Sequence, residues 1–201
     1  MDGDGEDRPE ELNDFYKKSE ENPTMTIVGN RFQRSESIFF KIMYEIHKVI
    51  TFIFTGKLIK FGNFTCVTKD HVKQLIQKPF LWNSYSSSVV RTLKERTFIP
   101  SIRGIRYVLP SKMNFFALVF HSLSIISVFK NAVIIRSVIY LLVYLFLIFN
   151  NISIITLLPI LLLLVFVFII LRITKRADID GLNKSLDNIG SIDTLGSFDK
   201  R

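Results

Sequence analysis

Two rows of polar side chains lie within an otherwise apolar stretch, and they are the residues best placed to bind something. Within each row the spacing is three, four or seven residues, so that its members share one face of a helix. Polar groups on an apolar helix usually meet another helix or a lipid headgroup rather than lipid tails. We predict such contacts for a first row, Asn114, His121 and Ser124, and for a second row, Arg136, Tyr140 and Tyr144.

Arg136 is the strongest candidate for a functional charge. It lies four residues into a predicted helix over 132–149. Its guanidinium could bind a phospholipid headgroup, an acidic residue of a partner or an anion. The alternative is that the long side chain reaches back to the nearby membrane surface. We favour this second interpretation, because the residue lies close to the predicted helix end.

The sequence contains no arrangement typical of catalysis or metal binding. The three histidines are spread over 74 residues and none has the spacing of a metal motif. Cys66 is the only cysteine, which excludes an internal disulfide and a cysteine metal cluster. No acidic residue lies between Arg96 and Ala177, which excludes a carboxylate proton relay in the apolar segment. We predict that the protein is not an enzyme and needs neither a cofactor nor a metal.

The polar rows belong to an apolar segment, residues 113–171, whose only formal charges are Lys130 and Arg136. A helix crosses a bilayer in about 20 residues, so this segment allows two crossings, or three short ones. Breaks at Lys130–Asn131 and Asn150–Asn151 divide it into helices over 113–129, 132–149 and 152–171. Pro159 should kink the third helix, or mark a turn if this segment is a re-entrant loop.

Basic residues flank the apolar segment on both sides, which bears on its topology. Cytoplasmic flanks are rich in Lys and Arg, so both ends of the segment are predicted to be cytoplasmic. This favours an even number of crossings, with 132–149 and 152–171 as a hairpin and 113–129 lying shallow. Three crossings remain the alternative. The flanking bases are Arg91, Lys94, Arg96, Arg103, Arg106 and Lys112 before the segment, and Arg172, Lys175 and Arg176 after it.

Residues 31–56 are predicted to contain an amphipathic helix over 36–55. Lys41, Glu45 and Lys48 recur on one face of it, between apolar residues. Such a helix lies in the membrane interface with its charges toward the headgroups. Two alternatives stay open: an additional crossing whose charged stripe faces partner helices, and a helix packed on a small soluble core.

The remaining regions differ sharply in charge. Residues 1–30 carry nine acidic and three basic residues and are predicted to be a disordered arm. Residues 57–112 are predicted to be a small, irregular, basic cytosolic region with a β-prone run over 64–68 and short helices over 69–77 and 88–96. Trp82 and Tyr85 are expected to be interfacial aromatics. The tail, 172–201, is predicted to be flexible and cytosolic, or to fold on a partner.

Together these features predict an all-α integral membrane protein with disordered termini: a transmembrane helical hairpin of two to three crossings, an amphipathic interfacial helix and a small irregular basic region. The general layout resembles that of reticulon-type and prenylated-Rab-acceptor-type proteins. Arg106 ahead of Asn114 and Phe115 resembles the entry into the first hairpin of the latter family, although its second long hairpin is missing here. The resemblance implies the endoplasmic reticulum or Golgi, with an organelle inner membrane as the alternative.

The expected function follows from the membrane segment and the charges. We expect a non-enzymatic protein that shapes membranes or recruits partners in trafficking, or else an accessory subunit of a multi-subunit membrane complex, such as a translocon, transporter or respiratory assembly. The expected partners are an anionic lipid membrane and other proteins, or further copies of this chain, bound through the membrane helices. Nucleic acid is not expected, because the basic region adjoins the apolar segment and an anionic leaflet attracts such charges.

Overall fold

The computed structural model of the chain describes residues 1–33, 38–104, 107, 114–177, 180, 181 and 184, with 31–33 and 38–41 given by their backbone alone. This part of the chain is mostly helical but also contains a three-stranded sheet. Short 3-10 helices lie at Pro9–Glu11 and Pro79–Trp82. The strands are β1 (Thr26–Gln33), β2 (Phe61–Cys66) and β3 (Arg96–Ile102), and the helices are α1 (Leu12–Glu21), α2 (Ile38–Thr55), α3 (Lys69–Ile76), α4 (Tyr85–Thr92), α5 (Phe115–Ser127), α6 (Lys130–Ile148) and α7 (Ile154–Thr174).

The sheet corrects the prediction of an all-α fold. Its strand order is β2-β1-β3, with β1 antiparallel to β2 and parallel to β3. Val28 of the central strand faces Thr65 on one side and Phe98 on the other. Each strand is short and is separated from its partners in sequence by at least one helix, so no hairpin signal marks the sheet in the sequence.

The acidic arm is not disordered, contrary to the prediction for residues 1–30. It forms α1 and the central strand β1. Phe15 of α1 is buried against Ile27, Phe64 and Ile99, and its ring centroid lies 4.4 Å from that of Phe64. The average hydrophobicity of the arm is low, although it contains the aromatic residue Phe15 and the short β-branched run Thr26–Val28. These residues are buried only by packing against strands from later in the chain.

Residues 57–104 are also more regular than predicted. The expected helix over 69–77 is α3, whose first turn is capped by the Thr68 side chain. The second expected helix, over 88–96, is α4, which lies earlier because Arg96 begins β3. Leu75, Val89 and Leu93 form a core that the sequence pattern did not indicate.

The sheet lies between two helical layers. Ile27 and Phe64 point to the face covered by α1. On the opposite face, the Thr26 hydroxyl lies 2.8 Å from His71 Nδ1 of α3, and the Thr65 hydroxyl lies 2.6 Å from the Tyr85 hydroxyl of α4. Helix α4 in turn contacts α5. The layers therefore follow the order α1, sheet, α3 with α4, and then the apolar helices.

The three apolar helices begin and end within three residues of their expected bounds. Helices α6 and α7 are long and apolar enough to cross a membrane, whereas α5 has only 13 residues. Helix α7 starts with a capping box between Ser153 and Thr156 and continues through Pro159, so the alternative of a turn at that proline is wrong. Most of the tail over 172–201 lies outside the described residues.

Candidate helix-contact and membrane site

The apolar helices converge at one end of the α6–α7 hairpin. Ile126 of α5, Val133 of α6 and Ile170 of α7 are buried together, with Ile50 and Phe54 of α2 packed against them. We call these five residues the base cluster. Beside it, the Thr174 hydroxyl of α7 donates to the Ser127 carbonyl of α5 over 3.3 Å. Four helices therefore meet at this end of the hairpin.

The opposite end of the hairpin, which we call the tip, is made by α6 and α7. There the Tyr144 hydroxyl donates to the backbone carbonyl of Thr156 over 3.1 Å. Asn150 and Asn151 form the turn and are exposed. Among the described helices, four pack together at the base, whereas only α6 and α7 contact each other at the tip.

The apolar side chains of the hairpin point outward. Only 17% of the most apolar stretch of α6 and 6% of that of α7 are buried. The core helix of a soluble protein would bury most of such a stretch. The outward faces include Ile135, Leu142 and Phe146 of α6 and Ile155, Leu162 and Phe168 of α7. The surface of the hairpin is therefore apolar over both helices.

Arg136 and Tyr140 meet at one backbone atom of α2. The Tyr140 hydroxyl donates to the Ile53 carbonyl over 2.7 Å, and Nη1 of Arg136 donates to the same oxygen over 3.0 Å. The ring of Phe54 packs edge-on to that of Tyr140 and lies 4.4 Å from that of Phe166. We call the pair Arg136 and Tyr140 the α2 clamp. It supplies donors to the carbonyl end of α2, where helices leave acceptors without an intrahelical partner.

Gly56 ends α2 directly beneath the clamp. Its φ of +69° lies in the left-handed region, a common way to end a helix. A Cβ at this position would lie 2.6 Å from Nη2 of Arg136. The backbone conformation therefore favours glycine here, and any larger residue would also have to displace the Arg136 guanidinium.

Helix α2 is attached at both ends to neighbouring strands. It follows β1 and precedes β2, and these strands pair so that Asn30 faces Phe61. Phe61 lies six positions after Thr55, a span of at most about 21 Å. One face of α2 is apolar and exposed, with Ile42, Ile46, Val49 and Ile53 at helical spacing. The helix thus leaves the sheet and returns to it while presenting an apolar face.

Two residues of the first polar row, Asn114 and Ser124, bond within α5. The Asn114 side chain accepts from the Ala117 amide over 2.8 Å and caps the helix. The Ser124 hydroxyl donates to the Phe120 carbonyl over 2.9 Å, within the same helix. His121 is exposed. The structure therefore brings Arg136 and Tyr140 together but does not join the first polar row to them.

Sequence reasoning named Arg91 only as a flanking base and missed its contact from α4 to the end of α5. Its guanidinium lies over the Phe80 ring, 4.1 Å from the centroid, and donates to the Val128 carbonyl. Burial lowers the pKa of Arg91. A cation at a helix C-terminus is stabilised by the helix dipole. No pattern in the sequence indicates this contact, since its acceptor is a backbone atom 37 residues away.

The two aromatic residues expected at the interface differ in position. Tyr85 packs against the core of Leu75, Val89 and Leu93, and burial raises the pKa of its hydroxyl. Trp82 is 48% exposed.

Within the part of the chain that the structure describes, no group of three His, Cys, Asp or Glu side chains could hold a metal ion. No protein-family model, curated protein or solved structure matches this chain.

Proposed function

We propose that this protein is a non-enzymatic integral membrane protein of the endomembrane system, in the endoplasmic reticulum or Golgi, that shapes the bilayer and recruits partners to it. The outward apolar surface of α6 and α7 supports insertion of the hairpin. A helix of 21 residues is about 31 Å long, close to the thickness of the hydrocarbon core. In this proposal the hairpin crosses the bilayer twice.

Exposed charges support a cytoplasmic base. Lys130, Arg172, Lys175 and Arg176 are exposed where α6 begins and α7 ends. The tip carries Asn150 and Asn151 and no charge. Cytoplasmic flanks of membrane helices are enriched in Lys and Arg. The base and the sheet therefore face the cytosol in this proposal.

Helix α2 then enters and leaves the cytoplasmic leaflet on the same side. The strands before and after it, β1 and β2, are paired, so the chain on both sides of the helix connects to the same end of these two strands. A spanning α2 would draw the short linker with Lys57 and Lys60 through the hydrocarbon core, at a cost of several kcal/mol. The exposed apolar face of α2 supports burial of that face among the lipids of one leaflet.

The observation that carries the proposal is the asymmetry between base and tip. Helices α2 and α5 pack against the base cluster, whereas the tip is formed by the hairpin alone. Embedded in a bilayer, this arrangement occupies more area in the cytoplasmic leaflet than in the opposite one. Unequal leaflet areas favour positive curvature, as expected of a membrane-shaping wedge.

Sorting by curvature tests the proposal. Purified full-length protein is reconstituted into fluorescent vesicles of mixed diameter, and its density per lipid area is measured on single vesicles. We expect enrichment on the smallest vesicles. The variant Ile46→Glu with Val49→Glu should reduce this enrichment, because charges on the exposed face of α2 oppose its burial in lipid.

The matched control is Leu12→Glu with Tyr16→Glu, which adds the same charges to exposed positions of α1. It should sort like the wild type. Equal density on all vesicle sizes for the inserted wild-type protein would contradict the shaping function. Instability of the isolated protein, together with stoichiometric co-purification of other chains in mild detergent, would favour the alternative of an accessory subunit.

A further inference from the structure

The layer formed by α3, α4 and the 3-10 helix Pro79–Trp82 lies between the sheet and the apolar helices. Arg91 of this layer donates to Val128, next to the start of α6. The Arg91 guanidinium also lies on the ring of Phe80, which belongs to the 3-10 helix. This short helix is therefore adjacent to the base of the hairpin.

Exposed apolar side chains occur in this layer and on β3. Trp82, two residues after Phe80, is 48% exposed, and Ile76 at the end of α3 is 57% exposed. Phe98 and Ile102 of β3 are also exposed, and Phe98 pairs with Val28 on the sheet face opposite α1. Trp at the boundary between water and lipid places its apolar ring toward the acyl chains and its N–H toward water.

Charge differs between the two sides of the sheet. Residues 69–95, which contain α3 and α4, carry five basic and two acidic residues, a net +3. Helix α1, on the opposite face, carries three acidic and two basic residues, a net −1. Each basic residue near an anionic membrane contributes about 1 kcal/mol of attraction, and acidic residues are repelled. An anionic surface would therefore orient the sheet with α1 outward.

We propose that the 3-10 helix Pro79–Trp82 and the end of α3 rest on the anionic surface of the bilayer, with Trp82 as the anchor. This inference rests on the proposed function, because it needs the hairpin in the membrane. It adds a second contact with lipid, made by the sheet domain itself. The base of the hairpin, at which α4 already contacts α5, is continuous with this surface.

Trp82 is the only tryptophan of the chain, so its fluorescence reports this contact directly. The full-length protein is reconstituted into phosphatidylcholine vesicles with phosphatidylserine, in which one lipid carries bromine either near the headgroup or near the chain end. Shallow bromine should remove about half of the Trp82 emission, and deep bromine much less, as expected for a residue at the interface. Aqueous iodide should quench Trp82 only weakly.

A second single-tryptophan protein, Trp82→Phe with Phe168→Trp, reports insertion of the hairpin. Phe168 is exposed on α7 and should be quenched by lipid bromine whether or not the sheet touches the membrane. If this probe is quenched while Trp82 is open to iodide and unaffected by bromine, the inference is wrong and the proposed function stands. If neither probe is quenched by bromine, both fail.

Two charge-reversal variants test whether electrostatic attraction orients the sheet domain on the membrane. Lys78→Glu reverses a charge next to Pro79 and should lower bromine quenching of Trp82 to the level seen without phosphatidylserine. Lys17→Glu makes the same change on the exposed side of α1 and should leave the quenching unchanged. Equal effects of the two variants would overturn the orientation by charge.

Discussion

The Tyr140 hydroxyl donates a hydrogen bond of 2.7 Å to the backbone carbonyl of Ile53, a residue 87 positions earlier in the chain. This bond fixes the end of an amphipathic helix against the first helix of the hairpin. Arg136 donates to the same oxygen. The last carbonyls of a helix have no intrahelical partner, and here donors from a neighbouring helix take that place.

Loss of the Tyr140 hydroxyl should loosen α2. Tyr140→Phe removes one of the two donors to Ile53 and should weaken the contact by about 1 kcal/mol, roughly a factor of 5 in the open population. The adjacent linker contains Lys57 and Lys60, both exposed, so trypsin cleavage there should accelerate by a similar factor. Tyr144→Phe is the control: it removes a bond to Thr156 near the tip and should not change cleavage at the linker.

A side chain at Gly56 should disturb the same joint. Gly56→Ala forces alanine into a left-handed conformation and moves the Arg136 guanidinium, at a cost of about 1–2 kcal/mol. The thermal midpoint in detergent, measured by circular dichroism, should fall. Gly3→Ala serves as the control, because nothing lies within 4 Å of the added Cβ. Equal midpoints for both variants would contradict the proposed role of Gly56.

The N-terminal segment should be essential to the sheet domain. Phe15→Ala empties a buried position beside Phe64 and should destabilise this domain by about 3–4 kcal/mol. Tyr16→Ala, at the neighbouring exposed position, should cost less than about 1 kcal/mol. Urea unfolding followed by Trp82 fluorescence measures both. A similar small effect for the two variants would return residues 1–30 to the disordered arm predicted from composition.

The hairpin could be predicted from the sequence because its helices are determined locally. Each apolar helix satisfies its own backbone hydrogen bonds, and Asn150–Asn151 marks the turn between them. The sheet could not be predicted in this way. Strand β1 pairs with β2 across the whole of α2, and with β3 some 70 residues later. Such pairings depend on contacts that no local window of sequence contains.

The candidate contact residues show the same difference between local patterns and long-range contacts. Spacing by four residues placed Arg136 and Tyr140 on one face, yet their acceptor is a backbone carbonyl of Ile53, which no side-chain pattern can indicate. Asn114 and Ser124 were identified as polar but bond within α5, since short polar side chains readily bond to nearby backbone groups. The contact of Arg91 was not predicted, because it depends on the position of α5.

Arg91 provides the last prediction, since it joins the sheet domain to the apolar helices. Arg91→Gln removes the charge at the end of α5 and the contact with the Phe80 ring, so the two parts should move more freely. Arg91→Lys keeps the charge but lacks the planar group that stacks on the ring, and should have an intermediate effect.

Spin labels measure this freedom of movement. Cys66 is exposed on β2 and is the only cysteine, and Phe168→Cys adds a second label position on α7. In vesicles, the distance distribution between the two labels should broaden with Arg91→Gln and less with Arg91→Lys. Lys94→Gln removes a positive charge from an exposed neighbouring position and should leave the distribution as narrow as in the protein with Arg91 intact. Equal broadening by Lys94→Gln would assign the effect to net charge, whereas broadening confined to Arg91 assigns it to the contact with Val128 and Phe80.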